Sequence, residues 1–511
     1  MPQLLDTSPQ ISLLLFKTIS RTTIDGQSSV STRYAGKSES IDLTPYLSLG
    51  SSVRTSKSVR EPAGGFSIIF ADKPQASMAE ELGFPISHLE SIYGLVEPMD
   101  MIEIRMSGGL DTALSEPPII MRGFVSNISR TQAMGDNGQP QRQVVITGQD
   151  YGKIWQTYQV IFLAAYFEGK ALLTSFALWE MFGMKAVAAM PAGEFVRTMI
   201  EKIINPHLDQ LIPKNSSLPR SILTGDSIAV KHGMVSNSYQ NMQGGIYDIL
   251  KFHSDVGIWN ELYTEDREDG VHCVYRPVPA LHLTAPDGAK DRKIMDDAPD
   301  PIYCIIKDSI VKNMGVARSD SSVFNFYWVN NSKYDLIDDM QRKLASIPSG
   351  DGKVSLKDYP NAAVKYYGVR AMYGETQQFE DGVTNSSSGQ EEVEQGKRGV
   401  KLEAWIDRRR RNMLEMNRDN VVLERGSVQI KGGVMRPDGA EAMKAGDYAR
   451  FLVGQTTWDA YVVQIDHDFQ PFQGYTATLT LERGEGFTNR TGQFSGSSPW
   501  LVEQASRGGL F

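Results

Sequence analysis

The chain has 511 residues, a length that corresponds to about three or four domains of ordinary size. Lys+Arg 52 against Asp+Glu 61 leaves a net charge of -9, which argues against a protein whose main business is gripping nucleic acid or an anionic membrane. Hydrophobic residues at 41% and charged ones at 22% are ordinary globular values, so disordered, collagenous and membrane classes are excluded for the bulk of the chain. Cys273 and Cys304 are the only cysteines, too few for a disulfide framework or a cysteine-rich zinc site. The start, Met-Pro-Gln-Leu-Leu-Asp, lacks a basic segment, and the apolar stretch Leu13 to Phe16 is too short for a signal peptide. The stretch from Ile154 to Phe167 falls short of the roughly twenty apolar residues of a spanning helix. The expectation is a protein with no membrane anchor, kept in a reducing cytoplasm or carried in something assembled there.

Residues 1–150 read as β-structure. Phe66, Ile68 and Phe70 alternate with Ser67 and Ile69, and Ile102, Ile104 and Met106 with Met101, Glu103 and Arg105, the period of a half-buried strand. Gly135-Asp136-Asn137-Gly138 offers a hairpin turn between strands at Phe124–Arg130 and Gln141–Thr147. From Tyr151 the character changes: 151–212 is an apolar helical insertion, rich in Trp155, Phe162, Tyr166, Phe167, Phe176, Trp179 and Phe182. It suits either a core helical hairpin or a subunit interface, where aromatic side chains concentrate. Phe195, Val196, Met199, Ile200, Ile203 and Ile204 fall on one helical face, and Pro206 marks the expected end of that helix.

Residues 213–373 read as a mixed α+β middle domain. It holds a helix with Ile246, Ile249 and Leu250, a hairpin turning at Arg267-Glu268-Asp269-Gly270 into the strand Val271–Tyr275, and strand material with Phe324, Phe326 and Trp328. The polar stretch 374–399 is expected to be a flexible loop. A charged helix at about 400–417 opens the last folded block, 400–490. The tail 491–511 carries Trp500 and Phe511, which suit either docking onto a partner or a frayed end.

Two distant blocks share a grammar. Glu97-Pro98-Met99-Asp100 feeds the strand Met101–Met106, then Arg122-Gly123-Phe124-Val125-Ser126-Asn127-Ile128, then Gln143 to Gly148. Lys444-Ala445-Gly446-Asp447 feeds Tyr448–Val453, then Trp458 to Ile465, then Tyr475 to Gly484, where Tyr475, Ala477, Leu479 and Leu481 alternate with threonines. Each is a turn with Asp followed by a meander of the kind that closes into small barrels or sandwiches. Unrelated antiparallel meanders can share such a pattern, so duplication and coincidence both stay open at this level.

Two stretches resemble the baseplate hub proteins of contractile phage tails and the related hubs of contractile injection systems. One is Gly446-Asp447 with Tyr461 to His467 and Tyr475 to Gly484; the other runs from Phe66–Phe70 through Ile102-Glu103-Ile104 to Gly148-Gln149-Asp150. Together they cover about a third of the chain. Ala445 stands where the family often has proline, and the apolar insertion is a second departure. The resemblance implies an α+β, β-rich multidomain chain with two tail-tube-like antiparallel β-barrel domains, at 1–150 and 400–490, around mixed α/β middle domains. It further implies a homotrimer whose six tube-like domains match a sixfold tube above and a threefold spike below. The partners so implied are the tip spike protein, the tail tube or tube-initiator protein, the tape-measure protein and baseplate wedge proteins. The place so implied is the tail baseplate of a virion assembled in the host cytoplasm.

Residues that carry chemistry are sparse. His272 and Cys273 are adjacent, so in a strand they point to opposite faces and share no ligand sphere. Asp466-His467-Asp468 is expected at a strand exit, where solvation explains it better than a metal does. Around Gly352 a calcium loop would place its first ligand on Ile347, and after Gly396-Lys397 a phosphate loop would need Ser or Thr where Arg398 stands. Both motifs fail. Arg408, Arg409, Arg410 and Arg411 suit a solvated helix face, an ion-paired partner contact, or a contact in a tube lumen. No catalytic residue, cofactor or metal is expected, and no specific nucleic-acid binding. The candidate contact residues are Trp155, Phe162, Phe167, Trp179, Phe182, Arg408, Arg409, Arg410, Arg411, Trp500 and Phe511. The rival readings are a tail-associated peptidoglycan hydrolase, for which Glu261, Glu265 and Asp266 are available carboxylates, and a carbohydrate-binding tail-tip protein.

Overall fold

The computed structural model describes residues 9–17, 40–72, 92–108, 116–134, 140–160, 189–214, 216–236, 244–281, 293–330, 361, 364–379, 391–453 and 456–484. The expected hairpin turn at 135–138, the glycine-centred loop around Gly352 and the tail beyond residue 484 lie outside them.

The strands needed to follow the chain are β1 (Gln10–Phe16), β2 (Ser52–Ser58), β3 (Gly65–Ala71), β4 (Met101–Ser107), β5 (Ile119–Met134) and β6 (Pro140–Asp150). Helices α1 (Gly152–Thr157), α2 (Ala192–Met199), α3 (Asn205–Leu211) and α4 (Ile246–His253) lead to the hairpin β7 (Asn260–Arg267) and β8 (Gly270–Pro277). There follow β9 (Tyr303–Lys307), β10 (Val311–Ala317), β11 (Phe326–Asn330), β12 (Ala371–Glu375) and the long helix α5 (Glu391–Asn417). The chain closes with β13 (Glu424–Lys431), β14 (Tyr448–Val453), β15 (Thr456–Gln470) and β16 (Gly474–Gly484).

The period-two segments become the strands they predict: β3 buries Phe66, Ile68 and Phe70, and β16 buries Tyr475, Ala477, Leu479 and Leu481. The fold is β-rich, and its main feature is a sheet of 13 strands. Within it β2-β3-β6-β5-β4-β1 are hydrogen-bonded in that spatial order. So are β10-β13-β16-β15-β14-β9. Numbered along the chain, both units have the order 2-3-6-5-4-1. The units are not separate bodies: β15 pairs β2 antiparallel, from Gln464 opposite Ser58 to Phe469 opposite Val53, and makes one sheet of them. The second unit starts at Tyr303, well before the expected block at 400–490, because β9 and β10 hydrogen-bond to β14 and β13.

Two apolar clusters line the units. One joins Leu13, Val53, Ile68, Ile104 and Ile146; the other joins Ile306, Val428, Phe451, Val462 and Leu479. A third holds α2, α4, Trp155 and Leu262, Cys273 and Tyr275 of the hairpin. The predicted face of α2 is wholly buried, each large side chain contributing about 1.5–3 kcal/mol. Pro206 does not end this helix. A π turn over Ile200–Ile204 resets the register, and Pro206 then sits in the first turn of α3, where its missing N–H costs no helical bond. The expected loop at 374–399 contains the end of β12 and the first turns of α5, which starts at Glu391.

Candidate assembly interface

The structure scatters the residues singled out in the sequence. Trp155 is fully buried in its own chain; its Nε1–H donates to the Pro62 carbonyl at 3.1 Å and its ring packs against Tyr247. It is core, not a contact surface. Phe162, Phe167, Trp179, Phe182, Trp500 and Phe511 lie outside the described residues. The arginine run is not one solvated face, because a helix turns each successive residue by about 100°. Arg409 is buried, with its guanidinium 4.4 Å from the Trp405 ring centre and 5.2 Å from that of Trp259, paired with Asp255 at 3.2 Å and bonded to Gln378 at 3.1 Å. Arg410 and Arg411 pair with Asp407 at 2.8 and 2.5 Å, and Arg408 and Arg411 are exposed.

The Asp turns match atom for atom. Asp100 N–H donates to the Glu97 carbonyl at 3.1 Å, and Asp447 N–H to the Lys444 carbonyl at 3.2 Å. Each carboxylate reaches back to the N–H that opens its turn, Glu97 to Asp100 Oδ2 at 2.7 Å and Lys444 to Asp447 Oδ2 at 2.9 Å. The third residue has positive φ in both, Met99 at 72° and Gly446 at 97°, as a type II turn demands. Each turn is tied to the meander by a reciprocal pair. Met99 N–H donates to Val125 O and Val125 N–H to Asp100 O, both at 2.8 Å; Gly446 N–H donates to Val462 O at 2.7 Å and Val462 N–H to Asp447 O at 3.0 Å. A bulge follows at the same place, between Val125 and Asn127 in β5 and between Val462 and Gln464 in β15. Coincidence of grammar does not reproduce this much; the block is duplicated.

Between the units lies a buried charged seam supplied by β7. Glu265 and Asp447 share Arg436, at 3.2 Å for the first and at 2.9 and 3.0 Å for the second. Burial alone would raise the Glu265 carboxyl, but Arg436 and Arg267 outweigh it and hold it at about 2. On the other unit Lys57 binds Asp150 and Thr264, and Arg122 holds Glu103 at 2.8 Å and the Arg267 carbonyl at 2.9 Å. Glu261 bonds Tyr461 and, at 3.1 Å, Arg276, whose guanidinium also reaches the Gly446 carbonyl at 2.8 Å. A cavity of about 30 Å³ lies among Lys57, Thr264, Asp266, Lys444 and His467. Asp266 Oδ1 has no hydrogen-bond partner among the described residues, and burial pushes that carboxyl up to about 6.

The three carboxylates of the hydrolase reading are buried; Glu261 is bonded to Arg276 and Glu265 to Arg436, and the small cavity lies beside Glu265 and Asp266. The thiols of Cys273 and Cys304 are buried, and burial pushes both up and away from thiolate. His467 lies inside β15 rather than at a strand exit; it shares a 2.7 Å hydrogen bond with the Tyr475 hydroxyl, and burial lowers it to about 3. Among the described residues no group of three His, Cys, Asp or Glu is placed to hold a metal ion, and no helix is long and apolar enough to cross a membrane.

Sequence reasoning missed three cations that hold the turns: Lys17 and Arg276, which reach them from distant parts of the chain, and Arg436, which lies eleven residues before Asp447. Lys17 Nζ lies 2.5 Å from Asp100 and 3.3 Å from Glu97, as Arg436 lies against Asp447. Only an unexplained basic residue near each repeat could have flagged them.

Among solved structures the chain aligns with the 43 kDa tail protein of prophage MuSo2 from Shewanella oneidensis, with a TM-score of 0.41 and 8% identity over 93% of this chain and 96% of that one. It aligns with the tail protein from Neisseria meningitidis MC58 at a TM-score of 0.41 and 9% identity over 93% and 96% of the two chains. It also aligns with prophage tail protein gp18 from Listeria monocytogenes EGD-e at a TM-score of 0.38 and 10% identity over 95% and 98%. All three are named as tail proteins. No protein-family model matches the sequence, and neither does any curated protein.

Proposed function

We propose that this chain is a structural tail protein, a homotrimeric baseplate hub that joins a sixfold tail tube to a threefold tip spike and nucleates tail assembly. The observation that carries the reading is the duplication: two six-stranded units of one strand order, with one Asp turn and one bulge position, joined edge to edge in one chain. Three copies of such a chain present six near-equivalent units to one partner and a threefold face to another, which is the economical way to match the two symmetries. In the assembled ring each unit acts as a tube-like barrel domain, and the middle helices and hairpin brace the pair. The proposed partners are the spike, the tube or its initiator, the tape-measure protein in the lumen and baseplate wedge proteins, in a virion tail.

The proposed work is recognition rather than reaction; in support, Glu261 and Glu265 are buried in bonds to arginines and both thiols are buried. The further proposed contacts are Phe162, Phe167, Trp179, Phe182, Trp500, Phe511 and the exposed Arg408 and Arg411.

Light scattering coupled to size exclusion tests the reading. Three times the 56.7 kDa chain is about 170 kDa, the mass expected for the assembled protein. A monomer both alone and with its spike would overturn it. Replacing Trp179 and Phe182 together with Asp is expected to leave secondary structure intact and reduce that mass to the monomer. A cleared zone in a cell-wall zymogram would instead favour the hydrolase.

A further inference from the structure

The duplication leaves one contact made in one unit and unmade in the other. In the second unit β15 pairs β14 as far as Tyr461, passes its bulge, and from Gln464 to Phe469 takes β2 of the first unit as its new neighbour. In the first unit β5 pairs β4 as far as Phe124 and passes its bulge at the same position. Beyond Asn127 it has β6 on one side and, among the described strands, none on the other. Its far half is mostly exposed, ending in Met134 at 75% exposure.

The counterpart of β2 is β10, the second strand of the second unit. It pairs β13 on one side and, among the described strands, nothing on the other, and all of it from Lys312 to Ala317 is exposed. It carries apolar Met314 and Val316 at 37% exposure each, and one charge, Lys312. A strand edge so weakly guarded by charge or proline is a template for pairing.

We propose that the far half of β5 pairs antiparallel with β10 of a second copy of this chain, reproducing between copies the β15–β2 contact made within one. Its register follows from the two ladders. Asn127 and Gln464 both occupy the place after the bulge, opposite Thr147 and Thr480. Through Ser67 and Ser427, which face those threonines, Arg54 of β2 corresponds to Gly315 of β10. The contact Asp466 opposite Ser56 therefore becomes Ser129 opposite Ala317 of the partner subunit, and Asp468 opposite Arg54 becomes Thr131 opposite Gly315 of the partner subunit. Because the two edges differ, the contact is head-to-tail and each copy offers one of each. The contact itself follows from the repeat alone; that three copies close the ring rests on the proposed function.

Paired cysteines test it, since both native thiols are buried and compete little. Residues opposite one another in an antiparallel pair have Cα atoms about 4.5–5.5 Å apart, within disulfide reach of about 4.4–6.8 Å. The full chain carrying Ser129→Cys and Ala317→Cys is expected to form an interchain disulfide ladder ending at a closed trimer on a non-reducing gel. Mixing the two single variants should give only the mixed dimer. Ser129→Cys with Met314→Cys, displaced by three residues or about 10 Å along the strand, should not cross-link. A trimeric mass without the 129–317 disulfide would overturn the strand pairing and leave the trimer standing. A ladder closing at another number would support the pairing and overturn the trimer. A single variant that cross-links to itself as readily as to the other would overturn the head-to-tail contact.

Discussion

The two six-stranded units carry the same turn, bulge and strand order, yet they are finished differently. In the first, β1 runs antiparallel to β4; in the second, β9 runs parallel to β14. The first turn uses Met99 where the second uses Gly446, and is held by Lys17 where the second is held by Arg436. Among the described strands, the one after the bulge has no second neighbour in the first unit and is paired with β2 in the second. What is common to both is the part with least freedom, the Asp turn and its reciprocal backbone bonds. What differs is how each unit meets its surroundings.

The largest expected effect separates the two cations. Arg436→Ala leaves Glu265 and Asp447 buried without their shared partner, at a cost of about 3–5 kcal/mol in chemical denaturation. Lys17→Ala removes single ammonium contacts to Asp100 and Glu97 rather than a two-pronged guanidinium grip on Asp447 that also reaches Glu265, and should cost about 1–3 kcal/mol. Equal losses would mean that the two turns are held alike and the contrast is empty.

Next comes the third residue of the turn. A Cβ at Gly446 would stand 2.3 Å from the Arg276 guanidinium and 2.6 Å from the Tyr263 hydroxyl, in a backbone region that already disfavours side chains. Gly446→Ala should lower stability by about 1–3 kcal/mol. Met99→Gly, which relieves the same backbone penalty at the cost of packing, should change it by less than about 1 kcal/mol. Thermal unfolding of the two variants decides the matter.

The smallest effect concerns β15. His467 occupies the register position that Arg130 holds on β5, and it stays neutral down to about pH 3, whereas an unfolded histidine takes a proton near 6.5. Below pH 6.5 the unfolded chain thus binds the extra proton, and this group alone removes up to about 1.4 kcal/mol per pH unit of acidification. Asp266 works the other way. Burial raises its folded carboxyl to about 6, whereas an unfolded aspartate protonates near 3.8, so acidification between those values favours the folded state. From pH 6 to 5 the two offset. His467→Gln is expected to reveal the Asp266 contribution as stability that rises on acidification over that interval, read from denaturation midpoints at each pH.

Most strands were legible because half-buried segments alternate, as Phe66 to Phe70 and Tyr475 to Leu481 do. β2 was not legible. Its residues, Ser52 to Ser58, are mainly serine, threonine and basic side chains, and it is a strand because β3 and β15 flank it on both sides. The join between the units was invisible for the same reason, and so was the early start of the second unit at Tyr303. The helix α5 was placed too late because its first turns are Glu, Gln, Gly and Lys, with no apolar periodicity to announce them. Arg409 looked like one of four equivalent charges, and only the rings of Trp259 and Trp405 distinguish it. Sequence pattern reports what alternates along a strand; it is silent on which strands become neighbours.

The β15–β2 seam also has a mechanical consequence. It runs in unbroken register from Gln464 opposite Ser58 to Phe469 opposite Val53, with Arg54 and Asp468 clasped at 3.2 Å across it. A force that slides one unit past the other along the strands loads all of those bonds at once. A force that peels the units apart at one end breaks them one pair after another. The ladder is therefore stiff to shear and weak to peeling, and against a peeling force the two halves of this chain depend on the buried bonds that β7 makes to both.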